Sequence, residues 1–103
     1  MVSLFGMMAV KVEGSSMTPA YKNGDFVLVH KTKKAEIGQV VICQRPDRPD
    51  LLIMKRVQSL TENGYWLKGD NQEFSDDSRV FGEVEKNLII GKVIFKYWPL
   101  FTN

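Results

Sequence analysis

Apolar residues fall in short runs along the chain, each closed by a polar turn, and almost nowhere at helical spacing. Met7 to Val12 is extended. Phe26-Val27-Leu28-Val29 is a short continuous apolar strand, Gln39 to Cys43 follows Ile37-Gly38, and Leu51 to Val57 is the next strand. Asn23-Gly24 and Asn63-Gly64 mark turns, because Asn-Gly readily takes positive φ, and Tyr65-Trp66-Leu67 continues the second hairpin. Arg45-Pro46-Asp47-Arg48-Pro49-Asp50 reads as a surface hairpin loop, since its two prolines remove ladder donors. Gly69 to Arg79 is polar and irregular, and Glu83 to Asn87 is the one candidate helical turn. Leu88-Ile89-Ile90 and Val93-Ile94-Phe95, joined through a glycine, make a last strand pair or one bent strand. Strands at this spacing predict a mainly β chain, a small closed or partly closed barrel.

Composition adds limits to that picture. The 103 residues allow one domain, spanning 1–103, with one modest core. A net charge of +2 is too small to argue for a nucleic-acid partner. The single cysteine, Cys43, excludes an internal disulfide and reads as a buried strand thiol. The single histidine, His30, sits at a strand end and leaves little for a zinc site, so no metal is expected. Lys31 to Lys34 reads as a solvated basic face. No run approaches the ~20 apolar residues that span a bilayer, so a soluble, cytoplasmic chain is expected. Met1 to Val10 is apolar but short and lacks a basic leader. It is either the first strand or the stub of a membrane anchor, in which case the chain is membrane-associated.

Three stretches carry candidate chemistry. The first is Val12-Glu13-Gly14-Ser15-Ser16-Met17-Thr18-Pro19. Gly14 lets the backbone bend, and Pro19 stops a helix from running through. Turn hydroxyls mostly bond their own backbone, so alone this is a serine-rich bend. The second is Lys55. Along a strand Ile53, Lys55 and Val57 share one face. Facing inward without a carboxylate, a lysine loses its preference for the charged form, and a neutral amine can take a proton from a serine hydroxyl. On an edge strand the same side chain would reach water instead. The third is Gly69 to Arg79. Its acidic residues lack EF-hand spacing, and a tied-down loop with Arg79 paired to a carboxylate fits better. Such a loop could also supply a hydroxyl to orient the lysine. There is no Ser-x-x-Lys pattern and no Gly-rich phosphate loop.

Taken in order, these stretches resemble the type I signal peptidases, serine proteases that use a Ser-Lys dyad. Gly14 to Pro19 is similar to the nucleophile box and Gly24-Asp25-Phe26-Val27-Leu28-Val29 to the box after it. Lys55-Arg56-Val57 resembles the lysine box. Gly69-Asp70-Asn71, Ser75-x-Asp77-Ser78-Arg79 and Gly82 resemble the last box. The resemblance implies a small signal-peptidase-like (LexA-like) β-barrel or sandwich catalytic core. It implies Ser16 as nucleophile, Lys55 as general base, Ser75 hydrogen-bonded to the lysine amine, and Asp77 paired with Arg79. The oxyanion donor would be the Ser16 N–H. Gly14 stands where some relatives carry a serine, which leaves a second donor open. The substrate would be a protein with a leader or propeptide. It would bind as an added strand between about Lys11 to Glu13 and Leu52 to Met54, against Val12, Glu13, Met17, Ile53 and Met54, with small residues such as alanine preferred. No cofactor is implied. The compact form looks most like the small maturation proteases of nickel-type superoxide dismutase, and it also resembles the mitochondrial inner-membrane peptidases. Two other readings stay open. One is a LexA-type self-cleaving domain. The other is a catalytically silent β-barrel that binds an extended peptide or nucleic acid through Lys31 to Lys34, Tyr65, Trp66, Tyr97 and Trp98.

Overall fold

The computed structural model describes residues 3, 4 and 6–99. Eight strands form one sheet: β1 (Ser3–Leu4), β2 (Met7–Lys11), β3 (Phe26–Lys31), β4 (Val40–Arg45), β5 (Arg48–Leu60), β6 (Gly64–Lys68), β7 (Val84–Glu85) and β8 (Ile89–Trp98). Their order is β1-β2-β3-β8-β4-β5-β6-β7, and every neighbouring pair is antiparallel. The last strand therefore inserts between β3 and β4. Bulges between Phe26 and Val27, between Leu28 and Val29, and between Ile42 and Cys43 bend these central pairings. The sheet curls enough that β2 and β5, with three strands between them, line a common groove.

Both faces of the middle strands are buried. Met8, Val12, Val27, Val29 and Ile42 pack on one side with Met54 and Val93. Val41, Cys43, Val57, Tyr65, Leu67, Val84 and Ile89 pack on the other with Ile53 and Phe81. Successive side chains on β4 point to opposite faces, so the unbroken apolar run Val40 to Cys43 serves both cores. Mainly β architecture and the curled sheet agree with the sequence pattern.

Several expectations need correction. The hairpin expected at Arg45 to Asp50 is present with a shorter loop: Pro46 and Asp47 make the turn, and β5 already begins at Arg48. Pro49 is tolerated because this part of β5 pairs with β4 on one side only, where a missing N–H matters least. Glu83 to Asn87 is not the helical turn. A one-turn helix, α1, forms earlier at Ser78–Phe81, where Asp77 accepts the Arg79 N–H as its N-cap. Val84–Glu85 instead pairs with β6, and a 3-10 turn follows at Lys86–Leu88. The basic loop is not merely solvated. Lys33 Nζ donates to the carbonyls of Asn87 (3.0 Å) and Ile89 (2.8 Å). The buried Tyr65 hydroxyl donates to the Lys33 carbonyl and accepts the Ala35 N–H. Of the apolar N-terminal run, Met1, Val2 and Phe5 lie outside the described residues, while Met7 to Val10 belongs to β2.

Candidate active site

Two strand edges face each other across a groove of about 260 Å³. On β2, strand β3 takes one edge, and among the described residues β1 covers the other at Met7 and Met8. On β5, strand β4 takes one edge from Arg48 to Arg56, and β6 reaches the other only from Arg56 onward. Among the described residues, Ala9 to Lys11 and Arg48 to Lys55 thus present peptide groups with no strand beside them. Val12, Glu13, Met17, Ile53 and Met54 all line this groove. The groove also takes Val10, Lys11, Gly14, Ile42 and Leu52. Nothing in the sequence singled out Val10 or Ile42, because their place depends on the curl of the sheet.

Ser16 lies at one end of the groove on a heavily tied bend. Val12 N–H donates to the Asp25 carbonyl (2.7 Å), and Gly24 N–H returns a bond to Val12 (2.8 Å). Gly14 has φ +87°, a conformation that L side chains rarely adopt, and its N–H donates to Asn23 Oδ1 at 2.9 Å. Met17, 2% exposed, anchors the bend in the interior. On the far side Asn71 N–H donates to the Ser16 carbonyl (2.8 Å), and Asn71 Nδ2 donates to Thr18 Oγ1 (2.8 Å). Asn71 is a positioning residue that sequence reasoning matched to a motif but gave no role. Among the described residues no hydrogen bond uses the Ser16 N–H. The Gly14 N–H is already committed to Asn23 and adds no second free donor.

Lys55 is 4% exposed, and its Nζ donates to Ser16 Oγ at 2.9 Å. The inward orientation holds: β5 is open on one edge at this position, yet the side chain does not turn out to water. Among the described residues no carboxylate lies within ion-pair distance of this amine. Burial is the largest influence and pushes its pKa below the ordinary lysine value; Asp77, Cys43 and Asp76 oppose this, and Arg45 reinforces it. Cys43 is fully buried, and burial pushes its thiol up to about 12, so it stays protonated beside the lysine.

The loop after β6 is built around Asp77. Its buried carboxylate accepts from Gly69 N–H (3.1 Å), Arg79 N–H (3.1 Å) and the Arg79 side chain at 2.8 and 3.1 Å. Burial alone would raise this carboxyl, but those donors outweigh it and hold it below the usual carboxylate range. Ser78, equally buried, accepts the Leu67 N–H at 2.8 Å. The Asp77–Arg79 pair is therefore present. The expected bond between Ser75 and Lys55 is not. Ser75 Oγ is buried without a partner. It is turned against Gly69, where a Cβ would stand 2.0 Å from it and 3.0 Å from the Ser16 carbonyl oxygen. Gly69 is thus glycine because serine loop and serine bend both press on it. Among the described residues no cluster of His, Cys, Asp or Glu could hold a metal ion.

The curled antiparallel sheet and its open groove fit the class that the comparisons support, a signal-peptidase-like protease. The family described as Peptidase S24-like matches residues 4–94, and the chain belongs to it. It is similar to mitochondrial inner membrane protease subunit 1 of Homo sapiens, 32% identical over 115 aligned positions that cover 88% of this chain and 69% of the relative. Subunit 2 of Schizosaccharomyces pombe is 34% identical over 113 positions, covering 85% and 63%. Signal peptidase IB of Staphylococcus aureus (strain N315) is 51% identical over 35 positions, covering 34% and 18%. Among the described residues no helix is long and apolar enough to cross a membrane.

Proposed function

We propose that the chain is a serine endopeptidase that removes a leader or propeptide from a protein substrate, with Ser16 as nucleophile and Lys55 as general base. The observation that carries this is the 2.9 Å contact between the buried amine and the serine hydroxyl. An extended substrate segment adds to the free edges of β2 and β5 through backbone hydrogen bonds. Ser16 Oγ attacks the scissile carbonyl carbon, and the neutral Lys55 amine takes the hydroxyl proton. The Ser16 N–H donates to the oxyanion. Collapse breaks the C–N bond, Lys55 hands its proton to the leaving amine, and the acyl group stays on Ser16. Lys55 then activates water, which hydrolyses the ester. The scheme needs no metal or organic cofactor. Asp77 and Arg79 hold the loop that backs the site, and Ser75 supplies a hydroxyl within it.

The free-edge groove favours a substrate in trans, which supports a processing enzyme over a self-cleaving domain. The fixed Ser16–Lys55 contact supports an enzyme over a silent binding module. The propeptide of nickel-type superoxide dismutase is the first substrate to test. The reading takes the chain as a cytoplasmic enzyme; recovery in the membrane fraction would move its site of action to a bilayer, as for the inner membrane relatives. The test incubates the purified chain, Ser16→Ala and Lys55→Met with alanine-ended leader peptides and that propeptide. Cleavage by the parent alone, with an acyl-enzyme trapped on Ser16, is expected. Equal slow cleavage by all three would sink the assignment.

A further inference from the structure

Arg45 ends β4 on the side of the sheet that carries the lysine. Val41 lies opposite Lys55 and Cys43 opposite Ile53, so these four residues share one surface, and Arg45 follows Cys43 across a bulge. Its guanidinium stands 5.3 Å over the Phe81 ring. It donates to Asp47 in the adjoining turn (2.6 Å) and to Asp76 Oδ2 (3.2 Å). Asp76 sits between Ser75 and Asp77. The Arg45 side chain is only 15% exposed, whereas that of Asp76 is 60% exposed. A strap of opposite charges therefore ties β4 to the loop that backs the active site.

We propose that Arg45 and Asp76 are a positioning pair for the Ser16–Lys55 site, holding the 75–77 loop against β4 and balancing the charge that the Lys55 amine meets. The proposal rests on Lys55 acting as general base. Among the described residues, the charged and titratable groups that act on that amine or line its groove come from three places. Cys43 and Arg45 come from β4, Asp76 and Asp77 from the loop, and Lys11 and Glu13 line the same groove. Cys43 is a neutral thiol, and Asp77 is engaged by Arg79. Arg45 and Asp76 have opposite signs and are bound together, so each offsets the other at the amine. Removing Arg45 takes away a like charge and leaves the Asp47 and Asp76 carboxylates uncompensated. Removing the Asp76 charge does the reverse.

Arg45→Met and Asp76→Asn cut the same strap but change the charge in opposite directions. At low salt the acidic limb of kcat/KM should move up by about 0.3 to 1 pH unit in Arg45→Met and down by a similar amount in Asp76→Asn. Both shifts should shrink in 1 M salt, where the Debye length is about 3 Å. Arg45→Lys, which keeps the charge without the fork, should return the limb to its parental position. An NMR titration of the Lys55 amine in each chain reads the same shifts without turnover. Limbs and amine titrations that stay put, or that move the same way in both variants, would overturn the proposal. If the amine titration shifts in opposite directions while the kcat/KM limb ignores it, the charge balance stands and it is the role of Lys55 as base that falls.

Discussion

Gly69→Ala is the most direct probe of how the site is packed. The added methyl would stand 2.0 Å from Ser75 Oγ, 2.5 Å from Ser75 Cβ and 3.0 Å from the Ser16 carbonyl oxygen. Rotating Ser75 relieves only the first contact. The second involves Cβ and requires the backbone of the loop or of β6 to move. Overpacking of this kind typically costs about 1–3 kcal/mol. The displaced groups are those that hold the nucleophile, since Asn71 N–H bonds the Ser16 carbonyl and Gly69 N–H bonds Asp77. A shift of about 1 Å at a reacting group can cost ~100-fold in rate. Gly69→Ala should therefore lose both stability and roughly 10- to 100-fold in kcat/KM on the same grounds. Gly64→Ala is the control. Its methyl would meet the Val84 carbonyl at 2.0 Å in the β6–β7 pair, so it should lower stability and leave kcat/KM of the folded enzyme near parental. Denaturant unfolding of Gly69→Ala, Ser75→Gly and the double variant completes the test. A coupling of about 0.5–3 kcal/mol is expected, because Ser75→Gly removes two of the three clashes. Additive effects, or a Gly69→Ala chain as stable and active as the parent, would refute the packing argument.

Three further outcomes follow from the site. Ser75→Ala removes a buried hydroxyl that has no partner, so thermal stability should not fall; a lower kcat/KM in the same chain would assign Ser75 to catalysis. Lys55→Met should stabilise the fold by about 1 kcal/mol or more at pH 7, because it removes an amine whose preferred charged form burial penalises. The folded amine has the lower pKa, so between it and the unfolded value near 10.5 the unfolded chain binds the extra proton and parental stability rises with pH; Lys55→Met should lose that slope in denaturant titrations. Asp77→Asn should cost about 2–4 kcal/mol by breaking a buried network of four accepted bonds. The Asp77 carboxyl is depressed in the fold. Its contribution is whole above the unfolded pKa and is lost as pH falls through the folded one, so Asp77→Asn should flatten the acid limb of the stability curve.

Much of the fold was legible because its signals are local. Alternation set Ile53, Lys55 and Val57 on one face, and Asn63-Gly64 marked the β5–β6 hairpin. What stayed hidden depends on partners distant in sequence. Pro49 looked like a loop residue because a proline reports a lost donor, and only the missing neighbour of β5 makes that loss harmless. Lys33 looked solvated because its acceptors, two carbonyls near β8, lie more than fifty positions away. Ser16 and Lys55 stood out through their motifs, and the fold brings them to 2.9 Å. Asn71 stood in a motif too, but a backbone N–H aimed at a carbonyl leaves no trace in residue type. The open edges that line the groove were equally silent, since among the described residues they are defined by the lack of a neighbouring strand.

A substrate added to those edges, as proposed, is limited in kind. Peptide N–H and C=O groups are the same in every sequence, so backbone pairing is blind to sequence and leaves selection to the side chains that line the groove. It does ask one thing of an incoming segment, which is that its own backbone bonds be unspent. A helix or an interior strand cannot enter without first unravelling, whereas a tail that has not yet found structure enters freely. The groove therefore responds to the folding status of a target before it reads any side chain. A leader would be removed while it is still loose, and the finished domain beside it would be spared.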